Sequence, residues 1–374
     1  MSANGGPANK RVRTVVDRSQ LVDEVGEEAK SKIGFAIVGL GRAGQFHLAS
    51  IKMISDIATL EWAIDSDQDK VEKLANQEGC RGGTDIQGAL DDPKVHAVVI
   101  ASITYSHYGY CKRALQAGKA VFTEKPISHN PEELEEIIDM ACQSKNAFVV
   151  GYQRRSDKNF RALRHEICSG SIGKLRLIKC CSRDNPMPPL EYLRVSGGIF
   201  FDMLCHDFDM IHFLSGGELP EEVYSIGHCY DECVKEMDDI DMVVVTLRFP
   251  SGLMASVDCS RIAAYGYDQR VEAFGELGMA SANNEVSSTV VVATNKGFKH
   301  PMSEWSFAER YKHTYTLELA EFAALVKAKG VESEALVRRH LDLDKVTAAA
   351  ELSYRLQRPV KLAEVQELRC KLPH

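Results

Sequence analysis

From Ile33 onward, short apolar runs alternate with segments of helical period. The runs are Phe35 to Val38, Leu60 to Ile64, Ala97 to Ile100, Ala120 to Phe122 and Ala147 to Val150, with Gly82 to Thr84 as a weaker sixth. Between them, amphipathic stretches cover Gly44 to Ile54, Gln68 to Glu78, Tyr108 to Ala117 and Pro131 to Lys145. Near-continuous apolar strands alternating with helices predict a parallel sheet covered on both faces, a doubly wound α/β fold. The last of these helices has a clear start. Asn130 can cap it, Pro131 suits its first position, and Glu132 and Glu133 favour its positive end.

Beyond Gly151 the rhythm changes. An amphipathic helix from Phe160 to Cys168 precedes a strand at Leu175 to Ser182 and a helix across Gly198 to Leu214. Strand-like runs then follow at Glu222 to Gly227, Met242 to Phe249, Leu253 to Cys259, Arg270 to Phe274 and Thr289 to Ala293. Pro250-Ser251-Gly252 reads as a hairpin turn between two of them. Helices at Tyr315 to Ala328 and Asp344 to Leu356 close the pattern. Successive strands with segregated helices predict a C-terminal α+β domain built on an open, largely antiparallel sheet. The expected division is a polar extension over 1–31, a nucleotide-binding domain over 32–151 and a second domain over 152–374.

The first loop carries the chemistry of the first domain. Gly39-Leu40-Gly41-Arg42-Ala43-Gly44 follows a buried strand and opens a helix, the context in which three such glycines bind a dinucleotide. The first permits the tight turn, the second lets pyrophosphate reach the backbone amides, and the third lets helix and strand pack closely. Asp65 ends the second strand, where a carboxylate binds the adenosine ribose hydroxyls and repels a 2'-phosphate, favouring NAD over NADP. Asp67 offers a second carboxylate nearby, and Arg42 is a basic residue able to receive a phosphate.

Composition narrows the partners. A formal charge of −8 and a pI near 5.9 supply no general positive field for a nucleic acid. No run of apolar residues approaches a membrane span. The first thirty residues mix acids and bases without an apolar block, unlike a secretory signal. With that, eleven irregularly spaced cysteines predict reduced thiols and a cytoplasmic protein. His228, Cys229 and Cys233 lie close enough to invite a zinc reading, but no second pair completes a tetrahedral set, and no metal is expected.

Four motifs together carry a family resemblance: the glycine loop, Glu124-Lys125-Pro126, Gly151-Tyr152-Gln153-Arg154-Arg155, and Gly197-Gly198-Ile199-Phe200-Phe201-Asp202 running on to His206-Asp207. From Ile33 to Arg358 the chain resembles the glucose-fructose oxidoreductase and inositol dehydrogenase family. The resemblance implies a Rossmann domain, a second domain serving substrate binding and oligomerisation, and assembly as a homodimer or homotetramer. It implies Lys125, Asp202 and His206 as the catalytic set, Glu124 and Lys125 beside the cofactor, and Arg154 in the sugar pocket.

The residues support the same chemistry. Oxidising a secondary alcohol needs a base for the hydroxyl proton, and histidine has the right basicity. An ammonium at the carboxyl end of a strand can stabilise the developing alkoxide and depress a nearby histidine's pKa. On this reading, polyol oxidation rises with pH through one ionisation in the histidine range. Asp202 and His206, four apart on a helix, can share one face; the same spacing suits an ordinary surface pair. Asp184 and Asn185 suit the fixing of several hydroxyls, and Tyr265 and Tyr267 resemble tyrosines that contact substrate in inositol dehydrogenases. Each could equally be turn or packing chemistry. The expected activity is oxidation of a ring hydroxyl of a cyclic polyol such as an inositol. Dehydrogenation of an aldose, a sugar acid or a trans-dihydrodiol, or a silent NAD-sensing role, stands as the alternative.

Overall fold

The computed structural model describes residues 32–371; the predicted polar extension lies outside them. The first half runs β1 (Ile33–Val38), α1 (Arg42–Met53), β2 (Ala58–Ile64), α2 (Gln68–Glu78), β3 (Arg81–Gly83), α3 (Gln87–Asp91), β4 (Ala97–Ile100), α4 (Thr104–Gln116), β5 (Ala120–Glu124), α5 (Pro131–Gln143) and β6 (Phe148–Gly151). The six strands are parallel in the order β3-β2-β1-β4-β5-β6. This is the doubly wound dinucleotide order. All six positions of β1 are buried, so its residues serve two cores in alternation. Phe35 and Ile37 face one, Ala36 and Val38 the other. Asn130 accepts from the Glu132 amide and caps α5 as expected.

The second half contains α6 (Lys158–Cys168), β7 (Leu175–Arg183), α7 (Leu190–Leu193), a wide π-type turn over Phe200–Leu204 leading into α8 (Cys205–Leu214), β8 (Glu222–His228), α9 (Glu232–Lys235), β9 (Met242–Arg248), β10 (Met254–Ser260), β11 (Asp268–Gly275) and β12 (Met279–Ala282). After them come β13 (Val292–Thr294), β14 (Gly297–Lys299), α10 (Phe307–Arg310), α11 (Lys312–Lys327), α12 (Glu334–Leu356), β15 (Val360–Lys361) and α13 (Val365–Lys371). Seven strands form an open sheet, β12-β11-β7-β10-β9-β8-β15, in which only β7 and β10 pair in parallel. The Pro250-Ser251-Gly252 turn joins β9 and β10 as an antiparallel hairpin. Val243, Val245 and Leu247 point into the core, while Val244 on the opposite face is exposed.

Two expectations need correction. The run at Thr289 to Ala293 is not a strand of the sheet: Val292–Thr294 pairs only with Gly297–Lys299 in an exposed two-stranded hairpin. Its valines have no core to face, so composition alone suggested a buried strand. The helix predicted from Asp344 starts at Glu334, where the Ser333 hydroxyl accepts from the Leu336 amide. The helix predicted across Gly198 to Leu214 has those bounds, with the wide π-type turn at Phe200–Leu204 inside it and Gly197 and Gly198, at φ of 85° and 77°, leading into it.

One packing feature crosses the sequence order. Leu319, Phe322 and Leu325 of α11 lie in the same core as Phe35, Ile37, Val99 and Phe122 of the first sheet. The Phe322 ring packs 6.0 Å from Phe35 and 5.7 Å from Phe122, centre to centre. A helix near the end of the chain therefore completes the layer over the first sheet and fixes the first domain against the second. Phe322→Ala is expected to cost about 3–5 kcal/mol of unfolding free energy, the range for a buried aromatic. Urea unfolding would check it, and a change within about 0.5 kcal/mol, as at surface sites, would show that α11 is not part of this core.

Candidate active site

A cavity of about 790 Å³ opens between the two domains at the carboxyl ends of the parallel strands, where ligands bind in this sheet type. Its first end is the glycine loop. Gly39 sits at φ 92°, and a Cβ there would lie 2.5 Å from the backbone of Ser102. A Cβ on Gly44 would lie 2.0 Å from the Gly39 carbonyl, so the helix packs on the loop only with glycine there. A Cβ on Gly41 would meet nothing within 4 Å, because that position faces open space. Helix α1 starts with no side-chain cap and no acid in its first turn, which leaves its amides free for an anion. The loop thus fits a dinucleotide pyrophosphate; Gly39, Gly41, Arg42 and Ala43 line the cavity, whereas Gly44 packs behind it.

Asp65 is at the cavity wall. Its Oδ2 accepts from the Leu40 amide at 2.7 Å and its Oδ1 from the Asp67 amide at 3.0 Å. A carboxylate has about four acceptor positions, so Asp65 keeps capacity for ribose hydroxyls while bracing the loop. Asp67 is instead the cap of α2, accepting from the Lys70 amide. Arg42 is committed elsewhere: its guanidinium lies 5.1 Å from the Tyr192 ring centre and 5.2 Å from that of Phe307, a bridge from the glycine loop to the second domain. Glu124 is held by the fully buried His47, whose Nε2 lies 2.7 Å from its Oε1.

The other end of the cavity gathers Lys125, Asp202, His206, Arg154, Asp184 and Tyr267. Lys125 Nζ donates to the Asp202 carbonyl at 2.5 Å and lies 3.4 Å from its Oδ1. Burial disfavours this ammonium, but the polar groups around it, Cys205 and Asp202 first, outweigh burial and keep its pKa above the ordinary lysine value. Asp202 is almost completely buried, and burial alone would raise its pKa. The charges of Lys125 and Arg261 and the Tyr192 hydroxyl hold it below the ordinary range. His206 is lowered well below the usual histidine value, first by burial and then by the charges of Lys125 and Arg154. Its ring packs edge-on to Tyr152 at 5.7 Å. Arg154 is buried and donates to Asp207 Oδ1 at 2.7 Å. Asp184 is pushed up to about 6, by burial first and by the neighbouring Asp202 next.

Two expected substrate contacts fall outside this cavity. Tyr265 is exposed; its hydroxyl donates to Asp268 Oδ2 at 2.7 Å and accepts from Arg183 Nη1 at 2.9 Å. Gly266, at φ 111°, bends the chain between the two tyrosines and turns Tyr265 away while Tyr267 points in. Asn185 is buried, but its side chain donates to the Trp305 carbonyl at 2.8 Å and so braces the segment leading to Phe307. Residues that the sequence reading did not single out also matter here. Tyr192 donates to Asp202 Oδ1 at 2.7 Å, and Arg261 Nη1 donates to Asp202 Oδ2 at 3.1 Å. Tyr192 sits among three prolines with no periodic pattern, and Arg261 meets a carboxylate 59 residues away, so neither left a local signal.

Comparison with known proteins agrees with this geometry. Residues 33–152 match the oxidoreductase family with an NAD-binding Rossmann fold, and residues 160–281 match the GFO/IDH/MocA C-terminal domain. The chain is 38% identical over 294 residues to myo-inositol 2-dehydrogenase of Thermotoga maritima, covering 78% of this chain and 87% of that one. A myo-inositol dehydrogenase structure from Corynebacterium glutamicum superposes with a TM-score of 0.81 at 30% identity, over 89% of this chain and 99% of that one. The scyllo-inositol dehydrogenase of Lactobacillus casei, solved with NAD(H) and scyllo-inositol, superposes with a TM-score of 0.82 at 25% identity, over 89% of this chain and all of that one. With two family domains in order and a glycine loop that fits a dinucleotide, the chain belongs to the GFO/IDH/MocA family and is an NAD-dependent oxidoreductase.

Proposed function

We propose that the protein oxidises a secondary ring hydroxyl of a cyclic polyol, an inositol foremost, and that Lys125, Asp202 and His206 carry the reaction. The observation that supports this most is that one cavity joins the glycine loop to a neutral imidazole, a charged lysine and a set of polar side chains suited to several hydroxyls. Gly39, Gly41, Arg42, Ala43, Asp65 and Glu124 hold NAD, which accepts the hydride when bound. Lys125 donates to the reacting oxygen and favours its alkoxide form. His206 takes the hydroxyl proton, and Asp202 orients Lys125. Arg154, Asp184 and Tyr267 fix the remaining hydroxyls, with Arg154 donating and Asp184 accepting. The inositol dehydrogenases that the chain resembles agree with a substrate that is a ring of hydroxyls.

The second sheet supports a homodimer or homotetramer. Ile226, Val244, Met254, Phe274 and Met279 are exposed apolar side chains on strands of this sheet, a pattern that marks an interaction surface. All eleven cysteines are free, which suits a reducing cytoplasm.

Purified protein given NAD and a panel of inositols, aldoses, sugar acids and dihydrodiols should form NADH fastest with an inositol. Lys125→Met should lower kcat about 10²- to 10³-fold, the scale of a lost donor to developing charge, while NAD affinity by calorimetry falls much less. Inertness towards every inositol would remove the substrate assignment, and full kcat in the mutant would remove the lysine from the chemistry.

The pH dependence differs from the simple histidine expectation. His206 lies well below 6.5, so it is already neutral and competent across the neutral range. Asp184, raised to about 6, loses its charge as pH falls through that value, and its protonated carboxyl is a weaker acceptor for a substrate hydroxyl. The kcat/KM for the polyol should therefore fall below about pH 6, and Asp184→Asn should flatten that limb. A limb that persists unchanged in Asp184→Asn would return the ionisation to His206.

Sedimentation at micromolar concentration should give the mass of a dimer or tetramer. A pure monomer under these conditions would leave the exposed sheet face without this role.

A further inference from the structure

Asp202 is braced from behind by a fully buried cation that does not line the cavity. Arg261 lies just beyond β10 with no exposed side-chain surface, and its guanidinium joins two carboxylates. Nη1 donates to Asp202 Oδ2 at 3.1 Å, and Nη2 donates to Asp239 Oδ2 at 2.8 Å. Asp239 in turn accepts the Ile199 amide at 3.0 Å through Oδ1. Ile199 immediately precedes the wide turn that carries Asp202. A Cβ on Gly198 would stand 3.1 Å from Asp239 Oδ1, so glycine there lets the carboxylate come this close. One pair thus fastens both the start of the catalytic helix and the far oxygen of its carboxylate. A guanidinium suits this task because its planar fork meets two carboxylates at once.

We infer that Arg261 and Asp239 are positioning residues for the oxidation, holding Asp202 in the place and charge state from which it orients Lys125. The inference rests on the catalytic assignment of Asp202 made above. The groups that face Asp202 are Lys125 beyond β5, His129 ahead of α5, Asp184 beyond β7, Tyr192 on α7, Cys205 on its own helix and Arg261. Of these, only Lys125 and Arg261 bring permanent positive charge, while Asp184 brings a second carboxyl. Removing Arg261 leaves Asp202 with Lys125 and Asp184 with Arg154 as the nearby cations, so protonation becomes easier at both carboxyls and Lys125 loses its fixed acceptor. Because Arg261 is outside the cavity, NAD binding does not depend on it directly.

The test compares Arg261→Met, Arg261→Lys, Asp239→Asn and, as the control, Asp202→Asn, each assayed with NAD and the best inositol of the panel. Arg261→Met should lower kcat roughly 10²-fold, the scale of a small misplacement in a catalytic site, and shift the acidic limb of the rate profile to higher pH. Its NAD affinity by calorimetry should be unchanged, and Arg261→Lys, which keeps the charge but not the fork, should recover part of the rate. Asp239→Asn, which unfastens Arg261 and the Ile199 amide, should lower kcat with NAD affinity unchanged and restore little of it at higher pH, and it decides the matter if Arg261→Met does not fold. If Asp202→Asn is inactive while Arg261→Met, or Asp239→Asn in its place, keeps wild-type kcat and pH profile, this inference is overturned and the site assignment stands. Lowered thermal stability with unchanged kinetics overturns it too. Full activity in Asp202→Asn would instead overturn the catalytic assignment itself.

Discussion

A carboxylate out of contact with water must be neutralised, protonated or paired, and Asp202 is paired three times over. Its partners come from separate parts of the chain: Lys125 from the end of the first sheet, Tyr192 from the proline-rich segment, and Arg261 from the end of the central strand β10 of the second sheet. The cleft therefore forms only when both domains are in place. Removing one partner leaves the others holding an imperfectly compensated buried charge, which costs more than a surface ion pair of the same length. The helix that carries Asp202 and His206 begins with a wide turn after two glycines in left-handed conformation. Such irregularity is tolerated where side-chain placement matters more than a regular backbone ladder.

The domains are held together by more than this ionic centre. Helix α11 packs on the first sheet although it follows the whole second sheet in sequence, and α12 packs on α5. Arg42 adds a third tie, between Tyr192 and Phe307, at the edge of the cofactor loop. Tyr192 meets Arg42 on its ring and Asp202 through its hydroxyl, so the glycine loop and the Asp202 carboxylate are one side chain apart. Since Arg42 is held between two rings, it is not placed as a free cation beside the ribose carboxylate of Asp65. That agrees with NAD rather than its 2'-phosphorylated form.

Most of the first domain was legible because its signals are local. Glycine, strand and helix starts lie within a few residues of one another, and β4 and α2 fall on the residues expected. The second domain was read less well wherever tertiary contact decides. The valines of the exposed hairpin look like a buried strand until one sees that nothing covers them. Short strands such as β12 and β15 are too small to declare themselves. In the site, Lys125, Asp202 and His206 were found through motifs. Tyr192, Arg261 and Asp239 are bound to the site by distant partners and carry no spacing that could reveal them. Tyr265 and Tyr267 show the limit from the other side: one glycine between two similar residues sends one into the cavity and the other to an ion-pair cluster outside it.

A last balance concerns His206 as the proposed base. A histidine lowered well below 6.5 is always ready to accept a proton at neutral pH, but it is also a weak acceptor. Lys125 resolves the conflict by acting on both partners. In the proposed mechanism the ammonium that lowers the imidazole also donates towards the reacting oxygen, so it acidifies the alcohol by the same charge. Because one charge lowers both groups, the weakening of the imidazole does not widen the gap to the alcohol. Arg154 adds to the pressure on His206 from the substrate side. An imidazolium formed between two cations holds its proton poorly, so the base returns to its neutral form without needing an alkaline medium.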